Sequence, residues 1–193
     1  MAGFLKNKTA VAQSGGGGGY LNPSKIPSGG SARFALLTDE PLEFWETWGE
    51  STEGQLKPFR FLCEPTADDI EAEFGEAFSR RQNREGTAYE APKFGIAVPV
   101  YDFEAGSVKI LSLTQKGLIR ELDSISQMED YENLLEWDFS LSKEGSGLTT
   151  EYTLRPVPRK KGSQDGIDKA WKDAQVKGFD ITKLMTGENP FGS

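Results

Sequence analysis

Residues 94–156 constrain this chain most: two alternating apolar segments, an apolar-periodic segment, then two more alternating segments about a Gly-Ser-Gly turn. Phe94, Ile96, Val98 and Val100 recur at a spacing of two, which on a strand puts them on one face and Gly95, Ala97, Pro99 and Tyr101 on the other. Pro99 has no N–H to give a ladder, so that point is expected at an edge or a bulge. Residues 108–113 supply a returning strand. From Lys116 to Met128 the stripe Leu118, Ile119, Leu122, Ile125 and Met128 has helical spacing. Trp137, Phe139 and Leu141 then point inward while Glu136, Asp138, Ser140 and Ser142 point to solvent, and after Gly145 and Gly147 the positions Thr150, Tyr152 and Leu154 oppose Glu151, Thr153 and Arg155. The order is strand, strand, helix, strand, strand, with Pro156 and Pro158 ending the sheet.

Upstream of this block, residues 1–31 read as a flexible basic arm and glycine linker, with Gly15 to Gly19 as the tether. No Gly-Lys-Ser/Thr follows the glycines, so they are not a phosphate loop. Strand-like segments at residues 33–38, 42–49 and 58–63 are expected to form a small antiparallel meander. Thr66 followed by Asp69 is a helix start, and Ile70, Phe74 and Phe78 continue at helical spacing, which predicts a helical insert over residues 66–84. Arg80, Arg81 and Arg84 then lie at its tail, where cations suit the helix dipole. Residues 161–193 read as a flexible tail in which Ile167, Trp171 and Ala174 line a short amphipathic helix. The domain proper spans residues 32–160.

The chain has one cysteine and no histidine, which excludes internal disulfides, Cys/His zinc sites and histidine-based triads. Cys63 lies in an apolar run and is expected to be a buried, inert thiol. The acids at Asp68, Asp69, Glu71, Glu73 and Glu76 read as a solvated helix face and not a metal site. Neighbouring loop acids do not supply separated, differently tuned carboxylates, and Ser146 lacks a base, so no catalytic set, metal or cofactor is assigned. No apolar run reaches the roughly 18 residues of a membrane span, and no secretory signal opens the chain, so a cytoplasmic protein is expected, in the host cytoplasm if it is viral.

Net charge is -8, but it is unevenly spread. Residues 1–33 carry Lys6, Lys8, Lys25 and Arg33 and no acid; residues 34–154 carry ten bases against 25 acids; Arg155, Arg159, Lys160 and Lys161 follow in a run without acids. An acidic body with two basic patches suits a groove that tracks phosphates while the rest of the surface repels them.

Several short strands with one helix before the last hairpin match a mainly β fold with inserted helices. Its economical form is the OB-fold, a partly open five-stranded Greek-key barrel with tails at both ends. Binding single strands on such a barrel needs rings for bases and cations for phosphates. The candidate rings are Trp45, Trp48, Tyr101, Phe103 and Tyr152. The candidate cations are Arg33, Arg60, Lys109, Lys143, Arg155, Arg159, Lys160 and Lys161.

These strings also carry a resemblance. The strand pair from Phe94, Gln115-Lys116-Gly117-Leu118, Glu136-Trp137-Asp138-Phe139, the Lys143-Glu144-Gly145-Ser146-Gly147-Leu148 hairpin and Tyr152-Thr153-Leu154-Arg155-Pro156 resemble phage-type single-stranded DNA-binding proteins built on an OB-fold. Tyr20-Leu21-Asn22-Pro23-Ser24-Lys25-Ile26-Pro27 is similar to the lead-in of that domain. The head from Phe4 to Ala10 is similar to the basic arm of T-even phage members, with Lys6, Lys8 and Thr9 matching and Asn7 breaking the basic triplet. The resemblance implies sequence-independent single-stranded DNA binding in replication, recombination or repair, without catalysis. It also implies self-association along the strand through the arm and replication partners recruited through the C-terminal tail. The tail is only weakly acidic, and Pro190-Phe191 is displaced from the terminus by Gly192-Ser193. The zinc of T-even members has no ligands here. The alternative is a protein-interaction module that does not bind DNA.

Overall fold

A ten-residue strand, β6 (Lys93–Asp102), is the spine of the structure, a computed structural model that describes residues 18–192. Along one side β6 pairs over residues 96–102 with β7 (Ser107–Leu113). Along the other it changes partner: residues 93–97 pair with β3 (Leu42–Ser51), and residues 100–102 pair with β2 (Gly30–Leu36). Pro99 falls in the seam between these partners, where no ladder bond is asked of it, and its carbonyl accepts from the Leu37 N–H at 3.1 Å. Thus the proline expected at an edge or bulge is buried mid-strand, and the partner switch is what accommodates it.

From β2 the sheet continues through β8 (Trp137–Glu144) to β9 (Glu151–Pro158), and β1 (Tyr20–Leu21) joins β7 in parallel. From β3 a branch carries β4 (Leu56–Phe61) and β5 (Phe78–Arg80). The fold is therefore mainly β, with a mixed nine-stranded sheet whose outer strands β1 and β9 do not meet. The expected meander is half present. β3 and β4 pair, but β2 lies against β6 and β8.

Three helices join the sheet. Helix α1 (Ala67–Phe74) begins in a capping box, the Thr66 hydroxyl accepting from the Asp69 N–H at 3.2 Å and the Asp69 carboxylate from the Thr66 N–H at 2.8 Å. The Thr66 hydroxyl also donates to the Asp69 carboxylate at 2.7 Å, and that bond, with the one from the Thr66 N–H, holds the Asp69 carboxyl below the usual range. The expected helical insert over residues 66–84 is corrected to this short helix followed by β5. Gly75, at φ 57°, turns the chain out of the helix, so Phe78 reaches the apolar cluster from a strand. Helix α2 (Lys116–Ser126) covers one sheet face with Leu118, Leu122 and Ile125. Helix α3 (Gln164–Val176) packs against β6 and β7 and buries Ile167.

The main core lies between α2 and the sheet: Phe34 stacks on Phe139 with ring centroids 5.6 Å apart, among Ile96, Val98, Val100 and Leu111. A second cluster lies on the opposite face, where Phe44, Ala97 and Ile110 are covered by Leu184, Phe179 and Phe191. Residues 163–192, expected as a flexible tail, thus form α3 and a 3-10 turn (Ile181–Met185) seated on the sheet. Alternation on β6 leaves Gly95, Ala97, Pro99 and Tyr101 on the face away from the core, and in the structure the C-terminal segment covers that face at Ala97. Residues 19–31, expected as linker, carry β1 and a 3-10 turn (Pro23–Lys25). Cys63, expected buried, is exposed because β4 ends two residues earlier.

Candidate nucleic-acid interface

Strand alternation fixes which candidates share a face. Residues directly opposite one another in a ladder point the same way. Arg33, Ser140 and Arg155 are register partners across β2, β8 and β9, and Tyr101, Ala35, Asp138 and Val157 form the next row. Phe103 continues past the end of β6 beside Arg33, donating its N–H to the Arg33 carbonyl at 3.1 Å. All of these lie on the face away from α2.

Asp138 organises this group. Alternation points it to solvent, yet its side chain is fully buried. Its Oδ2 accepts from Arg33 Nη2 at 2.7 Å and Nε at 2.9 Å, and from the Lys160 N–H at 2.9 Å; its Oδ1 lies 2.7 Å from Arg159 Nε. Arg159 also donates to the Leu135 and Trp137 carbonyls. One carboxylate therefore joins β2, β8 and the chain leaving β9. Period-two spacing put Asp138 on the correct face, but nothing local signalled an arginine 105 residues away.

Around this clamp Phe103 makes an edge contact with Tyr101, ring centroids 5.2 Å apart. The Arg33 guanidinium lies 5.5 Å and the Lys160 ammonium 5.8 Å from the Phe103 centroid. Lys160, Lys161 and Arg155 are exposed. A half-buried ring bordered by cations is the chemistry that stacking and phosphate neutralisation require.

The remaining candidates are elsewhere. Tyr152 and Lys143 are register partners on the core side of the sheet; Tyr152 packs on the main core and Lys143 Nζ donates to the Ser24 carbonyl at 2.9 Å. Tyr152 and Arg155 thus lie on opposite faces. Lys109 pairs with Asp102 at 2.8 Å, also on the α2 side. Trp45 packs edge-on against Phe94, and the Trp48 indole N–H bonds Glu46 at 3.1 Å. Arg60 is enclosed: it pairs with Glu46 at 3.0 Å and donates to the Leu184 carbonyl at 3.1 Å, holding the C-terminal segment down. Lys6, Lys8 and Thr9 lie outside the described residues.

Among the described residues, no three acidic or thiol side chains stand together as a metal site would require, and no helix is long and apolar enough to cross a membrane. Comparison with known proteins found no matching family model, no matching curated protein and no matching solved structure.

Proposed function

We propose that this protein is a non-catalytic binder of single-stranded DNA, of the OB type found in the phage-type proteins it resembles, covering strands without sequence preference in replication, recombination or repair. The observation that carries the reading is the convergence of Arg33 and Lys160 on the Phe103 ring, with Arg155 and Lys161 exposed nearby, in a body otherwise rich in acids. Bases stack on Phe103 and Tyr101, and the phosphates lie along the cations. A fluorescence titration with oligo-dT at two salt concentrations tests it. Affinity is expected to fall steeply with salt, the logarithmic slope being about -0.7 per phosphate neutralised. Replacing Arg155, Lys160 and Lys161 together by Ser is expected to weaken binding by about tenfold or more, roughly 1.4 kcal/mol or more in total, with an unchanged unfolding midpoint. Arg159 is left out of that set because its charge is committed to Asp138. Absence of binding at low salt sinks the reading.

In the same reading the basic head contacts a neighbouring copy along the strand, and replication proteins dock on the C-terminal segment. Deleting residues 1–14 is then expected to weaken binding to long strands several-fold more than binding to one-site oligonucleotides. An equal effect on both refutes the neighbour contact.

A second reading, a protein-interaction module indifferent to DNA, is favoured by a different feature. An apolar cleft of about 440 Å³ opens between α2 and the sheet, lined by Phe94, Ile96 and Ile119 and rimmed by Asp39, Glu43 and Asp123. It suits an apolar side chain on a basic partner segment. This reading predicts no response to oligo-dT at either salt concentration.

A further inference from the structure

Arg80, Arg81 and Arg84 do not cap a helix. They belong to β5 and a hairpin that follows it, closed by the Gln82–Tyr89 bridge, by the Glu90 N–H on the Arg81 carbonyl at 2.9 Å, and by the Asn83 N–H on the Ala88 carbonyl at 2.8 Å. The turn is further tied by the Thr87 N–H on Asn83 Oδ1 at 3.0 Å. At the base of this hairpin, Gly49 of β3 has Lys57 of β4 and Arg80 of β5 as its two register partners. All three positions face one way, and the backbones of Lys57 and Arg80 stand about 10 Å apart across a residue without a side chain. A Cβ at Gly49 would meet the Phe59 ring at 2.9 Å, the Phe74 ring at 3.1 Å and Phe78 Cβ at 3.1 Å, so on this same face aromatic side chains fill the space over Gly49 between the two cations.

Both cations lie on aromatic faces instead of carboxylates. Lys57 Nζ is 4.8 Å from the Phe59 centroid and 5.7 Å from that of Phe78; the Arg80 guanidinium is 4.6 Å from that of Tyr89. Among the described residues neither makes an ion pair, whereas Arg33, Arg60, Lys109 and Arg159 each do. In a body carrying 25 acids over residues 34–154, two cations without an ion-pair partner are left for an outside anion. Arg80 Nε is buried with no hydrogen-bond partner, and Arg84 is exposed at the turn. Tyr89 is 53% exposed, so with Arg80 on one ring face the other is open to a stacking ring.

We propose that Lys57, Arg80, Arg84 and Tyr89 form a second contact for single-stranded nucleic acid, taking phosphates on the cations and a base on the outer face of Tyr89. This inference rests on the single-strand reading and extends it. Alternation of cation and open ring matches a polynucleotide, in which phosphate and base alternate, better than an acidic peptide, which offers only charge. The two contacts lie on opposite sides of the sheet, since Gly49 and its partners share the direction of Trp45 and not that of Phe44. A strand must therefore be long enough to pass from the Phe103 contact to the Tyr89 contact.

The test is a titration of the full-length protein with oligo-dT of about 8 and about 40 nucleotides, the first within and the second well above the roughly 4–16-nucleotide site of one such fold. The variants are the triple Lys57→Gln, Arg80→Gln, Arg84→Gln and the single Tyr89→Ala. Each is expected to lose about tenfold in affinity for the long strand and to keep wild-type affinity for the short one. The triple variant should also lose about 2 from the salt slope on the long strand. If the triple variant unfolds, Tyr89→Ala, which removes a largely exposed ring, decides. Wild-type affinity of the variants for both lengths overturns this inference and leaves the Phe103 reading standing. Equal loss on both lengths overturns it as well, and wild-type protein that binds neither length overturns both. Polyglutamate of matched charge competing as well as oligo-dT would overturn the nucleic-acid assignment.

Discussion

Replacing Asp138 by Ala is expected to lower stability by about 3–5 kcal/mol, because it strands a buried charge. Arg159 keeps only 15% of its side chain exposed and would lose its only carboxylate, while the Lys160 N–H and two Arg33 donors would lose their acceptor. Asp138→Asn, which keeps an acceptor and loses the charge, should cost less. Changing both members of the buried pair, Asp138→Leu with Arg159→Met, should recover more than half of the loss, since an apolar pair of similar volume avoids the desolvation of both ions. Denaturant midpoints with constant slope measure all three. An Asp138→Ala midpoint within error of wild type would show that the clamp contributes nothing. The expected effect on DNA binding is distinct: Asp138 fixes the direction of Arg33 and the path of residues 159–161, so a folded Asp138→Asn protein should bind oligo-dT more weakly with little change in salt slope.

Deleting residues 163–193 is expected to destabilise the protein by an amount on the order of 5 kcal/mol, at about 1.5–3 kcal/mol for each large apolar side chain removed from a buried position. Ile167 and Leu184 are buried, and Phe179 and Phe191 cover Phe44 and Ile110 with them. The deletion also leaves Arg60 without the Leu184 carbonyl. It separates the two accounts of this segment, because removing a flexible tail would not move the unfolding midpoint. Exposure of the second apolar face should also appear as concentration-dependent association in sedimentation, as an uncovered apolar patch adjoining sheet edges favours pairing.

The block from Phe94 to Pro156 was legible because each of its elements repeats its own period over enough residues. Strands β6, β7, β8 and β9 and helix α2 all fall within a few residues of the expected bounds. Errors gathered where local signals were short or ambiguous. Phe78 continued a helical spacing, yet one glycine at positive φ sent it into a strand. Alternation in residues 163–193 is weak, and the apolar groups Phe179, Leu184 and Phe191 are too widely spaced to announce a packed segment. Of the candidate interface, alternation placed Arg155 and Tyr101 on the face away from α2, but it could not say that Lys109 and Arg60 would spend their charges on Asp102 and Glu46.

By itself, then, the sequence determined the strand and helix periods of residues 94–156, the exclusion of histidine and disulfide chemistry, and the division of charge between an acidic body and basic segments. These depend on residue type and spacing along the chain. The tertiary structure alone decided that Pro99 sits where β6 changes partner, that Asp138 is the buried junction of Arg33 and Arg159, and that Lys57 and Arg80 flank Gly49. Each of those is a coincidence in space of residues far apart in the chain, and only sheet register brings them together.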